Sequence, residues 1–126
     1  MEKSNLDQLK PFTTMDGSEI RELAGPAWSP VRNQSLAEAT VPTGGATAEH
    51  YHARAEEIYY FVSGSGRMRL GSVEGAVTVG DAVVIPPGTK HKLWNTGSEP
   101  LVLLCCCAPA YSDADTVMTE SAVSES

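Results

Sequence analysis

The stretch GGATAEHYHARAEEIYYFVSG, residues 44–64, places two histidines one residue apart and two adjacent glutamates shortly after them. His50 and His52 stand at positions i and i+2, so on an extended strand both imidazoles face the same side. Glu57 opens the apolar segment that follows, from which a carboxylate could reach the same space. The stretch therefore indicates either a metal site or a polar loop that carries two histidines.

A third imidazole belongs to His91, on the segment KHKLWN directly after the turn sequence PPGTK. The chain has three histidines, and one sheet could bring all of them to one point. Three imidazoles and one carboxylate suit Mn, Fe, Co, Ni, Cu or Zn, and suit Ca or Mg poorly. Four protein ligands would leave positions on the metal for water, a substrate or dioxygen. The residues thus favour a shared transition-metal site.

Glycine and proline divide the chain into short segments that are rich in Val, Ile, Tyr, Thr and Leu, which is typical of strands. The candidate strands are Glu19–Leu23, Gln34–Val41, Thr47–His52, Glu57–Ser63, Arg67–Gly71, Ala76–Val79, Ala82–Ile85, Lys90–Asn95 and Leu101–Ala108. Short strands at a spacing of roughly ten residues predict an all-β fold, an antiparallel sandwich or barrel.

Composition limits the class of protein. A chain of 126 residues with 41% hydrophobic content suits one domain with a packed core. The net charge of −7 and the absence of a basic cluster disfavour nucleic acid and anionic membranes as partners. The polar start MEKSNLDQLK lacks the apolar region of a signal peptide, and no apolar run is long enough to span a bilayer. We therefore expect a soluble, cytoplasmic protein.

The three cysteines are consecutive, Cys105 to Cys107, at the end of the apolar run LVLLCCCAPA. On a strand, at most Cys105 and Cys107 face one site together. The run does not imply a disulfide framework. We interpret the cysteines as small hydrophobic residues of a buried strand, with a thiol that faces a pocket as the alternative.

Two ordered motifs surround the histidines. Residues 44–64 read G-x5-H-x-H-x4-E-x6-G, and residues 80–95 read G-x5-P-x-G-x2-H-x3-N, with a spacer of fifteen residues between them. The first motif resembles the first motif of the cupin family, and the second resembles the second. The motif positions are Gly44, His50, His52, Glu57, Gly64, Gly80, Pro86, Gly88, His91 and Asn95.

The resemblance implies a double-stranded β-helix, the cupin or jelly-roll barrel, as a single domain. It also implies one divalent transition metal per chain, held by the residues that match His50, His52, Glu57 and His91. The metal would be Fe, Mn, Ni, Co or Zn, with Fe or Mn favoured. Family spacing favours Glu57 over its neighbour Glu56, which would then point away.

The expected organisation has three parts. Residues 34–110 form the barrel. Residues 1–33 form an N-terminal arm, with one or two strands that pack on the barrel or on a partner subunit. Residues 111–126 form a tail that is partly disordered, because after about Met118 it is polar and acidic.

Strand parity predicts which side chains share the interior with the ligands. If Glu57 points inward, Tyr59 and Phe61 do as well, and with His91 inward Leu93 follows while Trp94 turns out. Tyr59 could line the metal site, although an aromatic core residue is the simpler interpretation. Two further residues, Arg54 and Arg32, could hold an anionic substrate near the mouth of the barrel.

The resemblance implies two kinds of enzyme that act on a small polar, possibly carboxylated, molecule. One is an Fe-dependent dioxygenase; the other is an isomerase, lyase or decarboxylase that uses the metal as a Lewis acid. The alternative is a non-catalytic cupin that binds a sugar or an effector, but such proteins usually carry a further domain, for which the chain leaves no room. No residue beyond the ligands stands out as a general base. An apolar sheet face and the segment around Trp28 favour a homodimer.

Overall fold

The computed structural model describes residues 1–120, and its regular secondary structure is almost entirely β-strand. The prediction of an all-β fold is confirmed. The strands are β1 (Phe12–Thr13), β2 (Glu19–Ala24), β3 (Ser35–Val41), β4 (His50–His52), β5 (Glu56–Ser63), β6 (Ser65–Leu70), β7 (Val73–Thr78), β8 (Ala82–Ile85), β9 (His91–Asn95), β10 (Leu101–Ala108) and β11 (Thr116–Met118). Two short 3-10 helices, Leu6–Gln8 and Asp113–Asp115, complete the secondary structure.

The strands form two antiparallel sheets. One sheet has six strands in the order β1-β2-β3-β10-β5-β8, and the other has five in the order β11-β4-β9-β6-β7. Strands that follow one another along the chain often lie in different sheets. Many neighbouring strands within a sheet are therefore distant in sequence. The inner faces of the two sheets enclose the core.

The core follows the parity expected from the sequence. Along β5 exposed and buried residues alternate, and Tyr59 and Phe61 are both buried. Leu93 is buried beside His91 on β9, while Trp94 is only partly buried. One face of every inner strand therefore faces the interior.

Glycines close the turns that set the strands in register. Gly64 and Gly80 have φ values of +85° and +92°, a region that residues with a Cβ rarely adopt. Gly88, with φ +78°, donates its N–H to the carbonyl oxygen of His52 at 2.7 Å. The PPG turn is thus tied to β4, and it places the start of β9 beside that strand.

Two short strands, β1 and β11, lie near the chain ends, and residues 1–33 hold two strands, β1 and β2, where one or two were expected. β1 pairs with β2, β2 pairs with β3, and β11 pairs with β4. Neither β1 nor β11 was among the candidate strands, because each has three residues or fewer. The predicted disorder after about Met118 falls mainly on residues 121–126, which lie outside the described residues.

Within residues 1–120 no helix has the length and apolar character needed to cross a membrane.

Candidate metal centre

The three histidines meet in the interior of the barrel. His50 and His52 lie on β4, and His50 is the direct cross-strand partner of His91 on β9. All three side chains are buried, and each offers a ring nitrogen within 4.8 Å of those of the other two. The expected convergence of the histidines is therefore present in the structure.

Hydrogen bonds fix the rings of His50 and His91. Nδ1 of His50 donates to the carbonyl oxygen of Ala48 at 2.8 Å, and Nδ1 of His91 donates to that of Thr89 at 3.0 Å. A carbonyl only accepts, so the proton of each neutral ring lies on Nδ1 and the lone pair on Nε2. This is the usual way in which a protein orients imidazoles toward a metal.

The ring of His52 is fixed by a side chain from the C-terminal part of the chain. Its Nδ1 lies 3.1 Å from Oγ1 of Thr116, and that hydroxyl donates its own proton to the carbonyl oxygen of Ser112 at 2.9 Å. The hydroxyl is therefore an acceptor toward His52. Nε2 of His52, like those of His50 and His91, carries a lone pair.

Glu57 approaches the histidines from the other sheet. Its Oε1 lies 3.2 Å from Nε2 of His52 and 3.5 Å from Nε2 of His91, and the residue is 5% exposed. Its Oε2 accepts a hydrogen bond from the thiol of Cys107, the neighbouring residue on β10, at 3.2 Å. Glu56 points outward and is exposed, as expected from strand alternation.

The electrostatic surroundings keep these groups in the states that a metal requires. Burial, together with the proximity of His91, lowers the pKa of His50. Burial alone would raise the pKa of Glu57, but hydrogen bonds and positive charge from His52 and His91, when their Nε2 atoms carry protons, outweigh it and lower the pKa to about 2. A metal ion in place of those protons would act in the same direction. His50 is therefore neutral and Glu57 ionised at neutral pH.

The donor set fits a transition-metal ion. Oε1 of Glu57 and Nε2 of His91 are buried and have no hydrogen-bond partner within the described chain. With the Nδ1 protons already assigned, lone pairs of three imidazoles and a carboxylate face one another, which is unfavourable without a cation between them. Three nitrogens and one oxygen are ligands of Mn, Fe, Co, Ni and Zn.

A cavity of about 70 Å³ opens beside this centre. Its walls come from both sheets and include the predicted pocket residue Tyr59. Neither Arg54 nor Arg32 lines it; both are exposed. The lining residues are Phe12, Thr14, Asp16, Ser18, Ile20, Glu22, Ser35, Ala37, Ala39, Val41, Thr47, His50, His52, Glu57, Tyr59, Leu93, Leu103, Cys105, Cys107 and Tyr111.

Two of the three cysteines face this cavity. Cys105 and Cys107 line it, whereas the side chain of Cys106 lies on the opposite face of β10. Burial raises the pKa of the Cys107 thiol well above its usual range, and the nearby Glu57 carboxylate raises it further. The protonated thiol can thus act as the donor that holds Glu57.

Asp16 is a cavity residue that the sequence did not single out. It lies in the turn between β1 and β2, and its Oδ2 is 3.9 Å from Nε2 of His50. The letters MDGS around it indicate a turn, because Asp and Gly favour turns, but they do not show where that turn docks. Thr116 and Tyr111 were missed for the same reason.

Comparison with protein families gives a match to the Cupin domain over residues 37–107. A protein of Methanocaldococcus jannaschii with no characterised function is 48% identical, and the alignment covers 94% of each chain. The glucose-6-phosphate isomerase of Thermococcus onnurineus is 42% identical, but over 46% of this chain and 34% of that protein. The chain therefore spans about a third of the isomerase's length.

Among solved structures, a nucleoside dehydratase superposes with a TM-score of 0.79 at 18% identity, over 98% of this chain and 94% of that chain. A structure of the dehydratase Pac13 from Streptomyces with uridine also superposes on this chain with a TM-score of 0.79. At this identity the likeness concerns the fold alone.

Proposed function

The chain belongs to the cupin family, and we propose that it is a metal-dependent enzyme that acts on a small polar molecule. One observation carries the proposal: three imidazole nitrogens and Oε1 of Glu57 converge in a buried site, and each ring is held with its lone pair toward the others. A cavity next to this point has room for a small molecule. The coincidence of ligand set and cavity supports an enzyme.

In this proposal His50, His52, Glu57 and His91 hold one divalent ion. Imidazole suits Fe, Ni, Co and Zn, and carboxylate suits Mn, so the mixed set favours Fe or Mn without excluding the others. The bound ion would supply Lewis acidity, which polarises an oxygen atom of the substrate. Thr116, Cys107 and the carbonyl oxygens of Ala48 and Thr89 keep the four ligands oriented.

The other cavity residues would orient the substrate and limit the access of water. Apolar side chains from three strands, among them Val41, Leu93 and Leu103, form one wall. Tyr59 is buried beside His91, with ring centroids 5.9 Å apart. Burial raises the pKa of Tyr59 well above its usual value, so its phenol keeps its proton and can donate a hydrogen bond to the substrate.

Among the reactions open to such a centre, we favour isomerase or lyase chemistry over oxygen activation. The support is the similarity to glucose-6-phosphate isomerase, which covers 46% of this chain but only about a third of that protein. Both reaction types begin with the polarisation of a carbonyl group, often with loss of the proton on the neighbouring carbon.

A deuterium-exchange experiment tests this proposal. The metal-free protein is loaded separately with Fe(II), Mn(II) or Zn(II) and incubated in D2O with a panel of small hydroxyaldehydes and hydroxyketones. Proton NMR should show enzyme-dependent loss of the signal next to the carbonyl. Oxygen uptake by the Fe(II) form, with no exchange, would instead indicate a dioxygenase.

Two variants distinguish loss of the metal site from a nonspecific effect of substitution. His91→Ala should lose metal and exchange together, whereas Arg67→Ala should keep both, because Arg67 is exposed and pairs with Glu74 at 2.5 Å outside the cavity. A fully loaded protein that turns over nothing in the panel, and takes up no oxygen, would contradict the enzyme and favour a binding cupin.

A further inference from the structure

The cavity beside the metal centre is lined by acidic residues and contains no lysine or arginine among the described residues. Its carboxylic acids are Asp16, Glu22 and Glu57. Basic side chains near the barrel pair elsewhere: Arg21 with Glu38 at 2.6 Å, Arg69 with Glu49 at 2.8 Å, and Lys92 with Glu120. A divalent ion would carry two positive charges against three carboxylates, which leaves the site without excess positive charge.

Hydrogen bonds within its turn hold Asp16 so that one carboxylate oxygen faces this cavity. Its Oδ1 accepts hydrogen bonds from Oγ1 of Thr14 at 2.8 Å, from the backbone N–H of Ser18 at 2.9 Å and from Oγ of Ser18 at 2.7 Å. Its carbonyl oxygen accepts from the N–H of Ala48 at 2.8 Å, which fastens the turn next to β4. Only Oδ2 remains, and it faces Nε2 of His50.

This arrangement disfavours anionic groups. Apart from a metal ion, whose charge the carboxylates of this site would offset, proteins bind phosphate and carboxylate with arginine, lysine or the N-terminus of a helix, and the cavity lining offers none of these. A phosphate ester carries up to two negative charges at pH 7 and would lie near a fixed carboxylate without a basic partner. A hydroxyl group, in contrast, would find a charged acceptor that is already oriented.

We infer that the site takes an uncharged, polyhydroxylated substrate, and that Oδ2 of Asp16 selects it by accepting a hydrogen bond from one of its hydroxyl groups. The inference rests on the proposed function, because it concerns the molecule that binds beside the metal. An uncharged substrate would distinguish this chain from its relative named for glucose 6-phosphate. It would also differ from the anionic substrate that Arg54 and Arg32 suggested in the sequence.

Binding measurements on the zinc-loaded protein test the inference without turnover. Saturation-transfer NMR and competition titrations compare three uncharged compounds, D-glucose, D-ribose and erythritol, each with its phosphate ester. At least one uncharged compound should bind roughly tenfold or more tightly than its ester. If no uncharged member of a pair binds more tightly than the phosphorylated one, the inference is wrong.

The Asp16→Asn variant assigns the selectivity to one atom. The amide keeps an oxygen for the three hydrogen bonds of the turn but loses the charge that faces the cavity. We expect weaker binding of the uncharged compound, stronger binding of its ester and unchanged zinc content. Glu56→Gln is the matched control, because it removes the same charge on the outer face of β5.

Three results would overturn the role of Asp16. One is an Asp16→Asn protein with wild-type selectivity, and another is an equal change in the Glu56→Gln control. The third is loss of zinc from Asp16→Asn, since Asp16 would then be a metal ligand. Failure of the metal site itself would be recognised separately, as absence of zinc from the wild-type protein.

Discussion

Two adjacent glutamates illustrate how strand alternation assigns chemistry to single residues. Glu57 is buried with its carboxylate against His52 and His91, whereas Glu56 lies on the solvent side of the same strand. Their sequence neighbourhood is almost the same, and only the direction of the side chain distinguishes them. A buried carboxylate that faces the Nε2 atoms of two imidazoles is stabilised when a cation binds between them.

We predict that Glu57→Gln lowers zinc affinity by at least about tenfold, while Glu56→Gln leaves it unchanged. The amide is a weaker ligand than the carboxylate but has nearly the same shape, so the barrel should stay folded. Competition with a chromogenic chelator measures both affinities. A loss of zinc binding in Glu56→Gln together with wild-type binding in Glu57→Gln would show that the carboxylate assignment is wrong.

The sequence could predict that the proposed ligands converge but not what surrounds them. His50 and His52 share a face through their spacing, and the motif that contains Glu57 and His91 is ordered along the chain. Asp16 and Thr116, in contrast, reach the site from segments that are 34 and 64 residues away from His50 and His52, respectively. No periodicity or spacing encodes such contacts, because they depend on where a turn and a short strand dock.

The short strand β11 is an element whose position determines the geometry of the site. Its pairing with β4 sets Thr116 directly opposite His52. Without that pairing, Nδ1 of His52 would be buried without an acceptor, and the ring could turn its nitrogens away from the centre. In the proposed metal centre, β11 would therefore orient a ligand although it supplies none.

We predict that Thr116→Val weakens zinc binding by roughly 10- to 100-fold, whereas Thr116→Ser retains nearly wild-type affinity. Valine has the shape of threonine but cannot accept the hydrogen bond from His52, and serine can. Chelator competition compares the two variants. Equal affinities would mean that the hydroxyl does not orient the ring.

The approach of β6 to β9 depends on a glycine. A Cβ on Gly66 would lie 2.3 Å from the carbonyl oxygen of Trp94 and 2.8 Å from Cδ2 of Leu101, so an alanine there would push apart paired strands. Gly75 on the neighbouring strand β7 has no heavy atom within 4 Å of the same position. Two glycines in adjacent strands thus have different structural roles.

We predict that Gly66→Ala lowers the free energy of unfolding by about 1–3 kcal/mol, while Gly75→Ala changes it by about 0.5 kcal/mol or less. Urea unfolding followed by tryptophan fluorescence measures both. Similar stabilities for the two variants would contradict the close approach of β6 and β9.

The elements could be predicted wherever a strand was long enough to show alternation. β8 and β10 have the expected bounds, and the other seven candidates differ from theirs by up to three residues at an end. β1 and β11 were missed because two or three residues carry no periodic signal, and each forms only by pairing with a longer partner.

On the scale of the whole molecule, the outer face of the six-stranded sheet is unusually apolar for a surface. Ile58, Tyr60 and Val62 on β5 and Val84 on β8 are between 39% and 54% exposed, and Ile58 and Val84 are cross-strand partners. Contiguous apolar surface of this kind is common at contacts between subunits. The homodimer expected from the sequence remains a prediction, and this face is its most suitable interface.

We predict that the wild-type protein elutes as a dimer in size-exclusion chromatography with light scattering, and that Tyr60→Glu shifts it toward the monomer. Val73→Glu is the control, since Val73 is 71% exposed on the other sheet. A wild-type monomer at micromolar concentration would contradict the homodimer.

Elemental analysis tests whether the barrel holds a transition-metal ion. Protein purified without an affinity tag or chelator, and its His52→Ala variant, are analysed for metals by elemental mass spectrometry. We predict close to one transition-metal ion per chain in the wild type, Fe or Mn before Co, Ni or Zn, and a large loss in the variant. A wild-type protein that holds no transition metal, even after reconstitution, would contradict the proposed metal centre.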